Sequence, residues 1–398
     1  MTIKKKLLVL TPRFPYPIIG GDRRRIYTIC QTLSQYFDLT LLSLVDSHDE
    51  MQLEVPDDGV FNRVERIFLP KWLSRLNVIN ALITGESLQV AYYKSPQFKA
   101  RVEALVSEHD LALAHLIRTG AYIEHLNIPK LLEMTDAVSL NYLRLAELKG
   151  GRYTLRNWIY RIERKRSLRV ELRQARVFNH SFLVSGVDRT YLLEKAPQLN
   201  SLISVAHLGI DVDSFELIPP CKTHNSSVAF VGNMLTTQNL DAAEWFASHV
   251  MPILLTSNPM LTFKVIGIVS EKGRALLERY SGVRVLGRVD SIRDALSGSF
   301  AAVCPMRFGA GVQTKVLEYM ALGVPVVATP MGNEGIDAPS EAMLIASSPD
   351  EMAGKLLLLT SDELLRRSMA IAARDFVKAH YDGATVSLPI VEKILQII

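Results

Sequence analysis

Short apolar runs alternate with helical patterns along almost the whole of this chain, and they do so in two successive series. In the first half, "KLLVLTP", "LTLLSLV", "VERIFLP", "LALAHL", "PKLLEM" and "SFLVSG" read as strands, with helical stretches near 22–35, 95–108, 138–148 and 155–177. A second series opens at "SSVAFVG" and continues through "LTFKVIG", "VRVLG", "AAVCP", "VPVVAT" and "AMLIA", and beyond about residue 349 the pattern is all helical. Runs this short and this uniformly apolar suit strands covered on both faces, so the alternation predicts an α/β chain with parallel sheets. Between the series lies "HLGIDVDSFELIPPCKTHNSS", rich in Pro, Asp and Ser, a linker by composition that places a boundary near 207–225. At 398 residues the chain exceeds the ~250–300 over which one core usually keeps growing, so two domains are expected. Two such halves facing each other would make a cleft, the usual place for a ligand.

The rest of the composition narrows the class. A net charge of +4 does not by itself imply a nucleic-acid partner. Cys30, Cys221 and Cys304 lie far apart, with no CxxC and no His spacing suited to zinc, which points to a reducing compartment without a disulfide framework. The opening "MTIKKKLLVLTP" reads as a first strand rather than a signal peptide, and no run approaches the ~20 apolar residues of a membrane span. A cytoplasmic protein is expected.

The stretch "RFGAGVQTKVLEYMALG" (307–323) carries the most chemistry. Val312, Val316, Leu317, Met320 and Ala321 recur at helical spacing, while Gly311, Lys315, Glu318 and Leu322 fall along another face. Flanked by "FAAVCP" and "VPVVATP", the unit reads strand, glycine loop, helix, strand, in which a phosphate sits at the helix N-terminus beyond the strand ends. An ordinary surface i,i+3 pair of Lys315 and Glu318 is the alternative. The first βα loop, "TPRFPYPIIGGDRRRIYT", holds Gly20 and Gly21 in an equivalent place. It is not GxGxxG, which argues against a nicotinamide cofactor. Arg23, Arg24 and Arg25 in the following helical turn oppose its dipole unless an anion is near; a solvated basic helix end is the other reading. "FVGNMLTTQNLDAAEWF" repeats the strand, glycine and helix pattern with Gly232, where Thr237 or Asn239 would serve as a cap. His115 and Asp136 fall at strand ends. "DVD" at 211–213 reads as turn chemistry rather than a metal site, and no metal is expected. In 155–176, Arg161, Lys165, Arg169 and Arg173 recur every fourth residue, with Leu155, Trp158, Ile159 and Ile162 on another face. That row is either a solvated face or a contact for an anionic membrane surface or phosphorylated acceptor.

Taken together, Gly20-Gly21 after the first strand, "HLGIDVDSF", "FVGNM" and above all "GAGVQTKVLEYMALGVPVVATPMGNEGI" resemble glycosyltransferase family 4, retaining transferases of the GT-B fold. "FVGNM…N…WF" and "G-x-G-x-x-x-K-x-L-E" are similar to bacterial members from capsule, exopolysaccharide and exosortase-associated clusters. The resemblance implies two facing Rossmann-like domains. An acceptor-binding domain would span 1–206, with a helix at 384–398 returning to it, and a donor-binding domain 207–383. It implies transfer of a hexosyl group from a nucleotide-diphosphate sugar, with retained configuration and no metal or other cofactor, to a glycan or lipid-linked acceptor in surface polysaccharide synthesis. No nucleic-acid partner is implied, and the place of work would be the cytoplasm or the inner face of the membrane, through 155–176.

Residue by residue, the resemblance assigns Glu318 to the ribose hydroxyls, while Ala310 stands where the family has its first Glu. Asn233 and Gln238 stand where an Arg and a Lys often hold the diphosphate. Arg307 and Lys315, with the backbone of Gly309, Ala310, Gly311, Val312 and Gln313, are the replacement donors that a diphosphate needs. Gly20, Gly21, Gly232 and Glu334 complete the implied donor contacts. His115 matches a strand-end His near the sugar, Asp136 an acceptor-side carboxylate, and Arg23 and Arg24 an acceptor contact. The departures keep two other readings open: a catalytically silent GT-B scaffold or binding protein, and a GT-B nucleotide-sugar epimerase.

Overall fold

The computed structural model describes residues 4–18, 20–147, 155–218, 227–309 and 311–397. The chain divides into two compact units, Met1–Gly209 with Gly383–Ile398, and Ile210–Asp382. The division falls within the "HLGIDVDSF" stretch.

Unit one is built on a seven-stranded sheet in which every neighbouring pair is parallel. Its strands are β1 (Lys5–Thr11), β2 (Phe37–Val45), β3 (Arg63–Phe68), β4 (Leu111–His115), β5 (Lys130–Thr135), β6 (His180–Leu183) and β7 (Ile203–Val205), in the order β3-β2-β1-β4-β5-β6-β7. Leu7, Leu8, Val9 and Leu10 of the interior strand β1 are fully buried, as a strand covered on both faces requires. Among the helices that flank it are α1 (Gly21–Leu33), α2 (Lys71–Thr84) and α3 (Leu155–Val177). The short edge strand β7 and the helix α2 do not stand out in the sequence pattern.

Unit two repeats the plan with β8 (Ser227–Val231), β9 (Thr262–Ile266), β10 (Val283–Gly287), β11 (Ala301–Cys304), β12 (Val326–Ala328) and β13 (Leu344–Ile345), all parallel in the order β10-β9-β8-β11-β12-β13. Its α4 (Thr237–Trp245) follows β8, and α5 (Thr314–Ala321) follows β11. The last helix, α6 (Gly383–Ile397), belongs to unit one: Ile390, Val391 and Ile394 are buried in one core with Ile26, Ile29 and Leu33 of α1.

Both sheets reverse their strand order once, between β1 and β4 in unit one and between β8 and β11 in unit two. At such a reversal the loops leave the carboxyl ends of adjacent strands in opposite directions and open a crevice, where ligands of open α/β sheets bind. Among the described residues no helix is long and apolar enough to cross a membrane.

Candidate functional site

In unit one the crevice is organised by a carboxylate. Glu133, the charged residue inside the apolar run of β5, is fully buried. Its Oε1 accepts from Arg25 Nε at 2.6 Å and from the Thr135 N–H at 2.9 Å. Its Oε2 lies 2.6 Å from His115 Nδ1 and accepts from Thr135 Oγ1 at 2.9 Å. Burial alone would raise the pKa of Glu133, but Arg25 and His115 outweigh it and hold the carboxyl down to about 2. An anionic partner makes Nδ1 the hydrogen-bond donor of His115 and fixes the orientation of the ring. Arg25 is fixed further by donating to the carbonyls of Ala206 (2.9 Å) and His207 (2.8 Å).

Two backbone outliers adjoin these groups. Leu116 (φ 68°) follows His115 and Thr135 (φ 65°) precedes Asp136, each at the carboxyl end of its strand. A β-branched residue is costly in the left-handed region, and such strain gathers at functional sites. Both hydrogen bonds from Thr135 to Glu133 hold that conformation. Asp136 beyond it is pushed up to about 7, first by burial and then by the neighbouring Asp188 charge, with Arg118 pulling the other way. Arg118 packs over the Tyr93 ring at 4.9 Å and donates to Gln89 Oε1 at 2.8 Å.

The first loop behaves differently from an open anion site. Gly20 takes φ 97° and starts α1 at Gly21, as only glycine does readily. Asp22 pairs with Arg13 at 3.1 Å. Arg23 pairs with Glu50 at 2.5 Å and Arg25 with Glu133, so for these two the anions that balance the basic turn are the protein's own carboxylates. Arg24 is half-buried in the same turn.

In unit two the switch point brings together most of the residues singled out in its sequence. Val231, the last residue of β8, donates its N–H to the buried Tyr319 hydroxyl on α5 at 2.6 Å. Beyond it Gly232 sits so close to Gly267 that a Cβ on Gly267 would lie 2.0 Å from the Gly232 carbonyl oxygen. Asn233 is exposed; its side chain accepts from the Leu235 N–H at 3.0 Å and its carbonyl from Asn239 Nδ2 at 3.1 Å. Asn239 is therefore not a cap, and the N-cap position of α4 falls on Thr236. Its Oδ1 instead accepts from Lys315 Nζ at 2.6 Å, while that ammonium faces the Phe230 ring at 4.7 Å. Burial lowers the Lys315 pKa, opposed by Cys304 and Glu318. Glu318, one turn further along α5, is buried at 8% exposure. The pair is not an ordinary surface pair.

Arg307 reaches across to α4 and forms a two-pronged pair with Asp241, at 2.9 and 2.5 Å. Gly309 (φ 152°) and Gly311 (φ 72°) shape the turn into α5, and Ala310 between them lies outside the described residues. Gln313 occupies the N-cap position of α5 without a side-chain cap bond, and Val312 and Gln313 are both half-buried. Gln238 is half-buried on α4, and Glu334 follows the short helix Pro330–Asn333, which Thr329 caps through its hydroxyl. Asp211 accepts from the Ser214 N–H at 3.3 Å, the turn chemistry expected of "DVD".

Glu133, Arg118 and Asp241 are the participants that the sequence pattern does not name; it names Arg25 only as part of the basic turn and Asn239 only as a cap. Only Glu133 carries a signal, a charged residue inside an otherwise apolar strand that ends at the crevice.

Comparison with known proteins adds a class to this geometry. Residues 225–362 match the family model described as Glycosyl transferases group 1. Over 198 residues the chain is 27% identical to the "Uncharacterized 44.6 kDa protein in cps region" of Klebsiella pneumoniae, covering 47% of this chain and 49% of that one. The chain thus spans about half the length of the curated relative it matches. Among solved structures, Anabaena HepE in complex with UDP and glucose is similar at TM-score 0.68 and 16% identity, over 98% of this chain and 99% of that one. Sucrose-phosphate synthase from Thermosynechococcus elongatus is similar at TM-score 0.73 and 13% identity, over 99% of each chain. The architecture is the GT-B fold. In class the chain has the GT-B fold, and the segment that matches the group 1 glycosyl transferase model lies within its second unit.

Proposed function

We propose that the chain transfers a sugar, with retained anomeric configuration, from a nucleotide-diphosphate donor to a glycan or lipid-linked acceptor. The place of that reaction is bacterial surface polysaccharide synthesis at the cytoplasmic side of the membrane. The observation that carries the reading is Lys315. It heads α5 at the switch point of sheet two, half-buried over Phe230 and oriented by Asn239, inside the segment that matches the group 1 model. A leaving diphosphate gains charge as the glycosidic bond breaks, and a preorganised ammonium in an enclosed site stabilises it most at that moment. The backbone N–H groups of Gly309, Gly311, Val312 and Gln313 share the diphosphate with Arg307, and Gly232, Asn233 and Gln238 serve the donor from the end of β8 and the start of α4. Glu318 takes the ribose, and Glu334 the sugar side. On the acceptor side His115 offers Nε2 to the sugar, Asp136 accepts a proton, and Arg23 and Arg24 lie at the rim. No metal is needed, because the cationic groups come from the chain itself.

The experiment is a thermal-shift screen with UDP-, GDP- and dTDP-sugars, followed by transfer kinetics with the donor that stabilises. Lys315→Ala should lower turnover by about two to three decades at unchanged fold. Near-native turnover in that variant would place the diphosphate elsewhere, and donor binding without transfer or hydrolysis would make the chain a binding protein.

A further inference from the structure

Helix α2 is an amphipathic helix with its apolar side outward. Trp72, Leu76, Ile79 and Ile83 are exposed at 62%, 54%, 57% and 83%, and Leu82 at 54%. Their spacing, i, i+4, i+7 and i+11, draws the first four into a single ridge along the helix. A monomer in water rarely leaves such a ridge uncovered. The helix contains no acidic residue, and both of its basic residues, Lys71 and Arg75, are exposed beside the ridge. Lys71 has only a loose pairing with Asp46, 3.8 Å away and itself exposed.

The chain leaving α2 is fastened to α3. The Leu88 N–H donates to Glu163 Oε2 at 2.8 Å, and Ser87 Oγ lies 3.3 Å from Ser167 Oγ. On α3 the residues Arg161, Lys165, Arg169 and Arg173 are all exposed, a row about 18 Å long at the helical rise. Arg173 shares its charge with Glu124, whereas among the described residues Lys165 and Arg169 pair with no carboxylate. Trp158 stands exposed near the start of the same helix, at 61%. An apolar ridge and a basic row are thus both exposed on unit one, on two helices tied through the segment that follows α2.

We propose that α2 is a membrane-docking element: its ridge inserts among the acyl chains of an anionic phospholipid surface while the basic row of α3 pairs with the headgroups. The inference goes beyond the transfer reaction and does not depend on it. Charge decides between the possible occupants. In a two-fold contact with a second copy the same patch meets itself, so Lys71, Arg75 and the α3 row would face like charges. An anionic bilayer instead satisfies both halves of the patch. Bulky apolar side chains on one face of a helix with basic flanks are also the composition of helices that lie in the interface.

The test uses the full chain, sedimented with vesicles of phosphatidylcholine alone or mixed with phosphatidylglycerol, at low and high salt. Binding is expected only to the anionic vesicles. The triple variant Trp72→Ser, Ile79→Ser, Ile83→Ser should lose about tenfold or more of that binding. The pair Lys165→Gln, Arg169→Gln should lose its salt-sensitive part. All five positions are exposed, so melting temperature should not move. A donor-induced thermal shift measured without vesicles should also be unchanged, which separates this inference from the donor reading. Wild-type protein that ignores anionic vesicles, or a triple variant that binds them as wild type does, overturns the proposal. So does a wild-type dimer that the triple variant turns into a monomer with no vesicle binding in either, since the ridge would then belong to a second copy.

Discussion

At the scale of single residues, unit one turns on Glu133, which fills four acceptor positions with Arg25, His115 and both donors of Thr135. Glu133→Gln leaves the buried Arg25 without its counter-charge, and a broken buried pair typically costs about 3–5 kcal/mol. The loss should be read in denaturant melts at neutral pH. The native carboxyl titrates at about 2 against an ordinary 4.5, so the carboxylate's contribution is complete above 4.5 and drains away as pH falls through 2. The gap between wild type and variant should narrow over that window; a gap independent of pH would mean that the charge is not what matters. Asp136 has the opposite sign. Its carboxyl is raised from 3.8 to about 7, so the folded state holds the proton more tightly, and stability falls as pH rises from 3.8 to 7. Asp136→Asn should therefore melt higher than wild type at pH 8 and alongside it near pH 4. In transfer assays the inflection near pH 7 should disappear, and an unchanged pH profile would remove Asp136 from the acceptor chemistry. His115 and Lys315 are legible in sequence because one ends an apolar run and the other opens a helix after glycines. The network that orients them is not legible, because Arg25, Glu133 and His115 meet only when α1, β4 and β5 are laid side by side.

At the scale of elements, the switch point of unit two depends on two strand ends lying almost in contact. Gly267 takes φ 127° directly against the Gly232 backbone, so Gly267→Ala meets both left-handed strain and a backbone clash that no side-chain rotation relieves. It should destabilise the protein by more than ~2 kcal/mol, seen as a lowered melting temperature of unit two. A variant that melts with wild type would show that the strand ends can separate freely. The strands themselves are the most legible part of the chain, because interior parallel strands such as β1 and β8 must be apolar on both faces. β7 is too short and too near the sheet edge to write such a pattern. Helix α2 escapes a periodicity argument for another reason: its apolar stripe points outward, so the rule that apolar faces point to the core gives it the wrong side.

At the scale of the whole chain, the order of residues and the order of packing disagree once. Unit two is a continuous stretch, Ile210–Asp382, whereas unit one recovers Gly383–Ile398 from the far end of the sequence. The return is tight: a Cβ on Gly209 would lie 2.6 Å from the Gly383 Cα. Ile390, Val391 and Ile394 of α6 are buried at 3% exposure or less against the core that α1 shares. Burying three aliphatic side chains contributes roughly 5–9 kcal/mol at ~1.5–3 each. That is comparable with the ~5–15 kcal/mol total stability of an ordinary domain. A chain ending at Asp382 should therefore lose unit one while keeping unit two, whose sheet and core are complete within their own segment. Calorimetry should show the full chain's unit-one transition abolished or strongly lowered and the unit-two transition little changed. Adding the 383–398 segment back as a separate peptide should restore part of the lost transition, with a dependence on peptide concentration. Equal loss of both transitions would mean that the two units do not fold independently, and loss of neither would mean that α6 only decorates a core already closed without it.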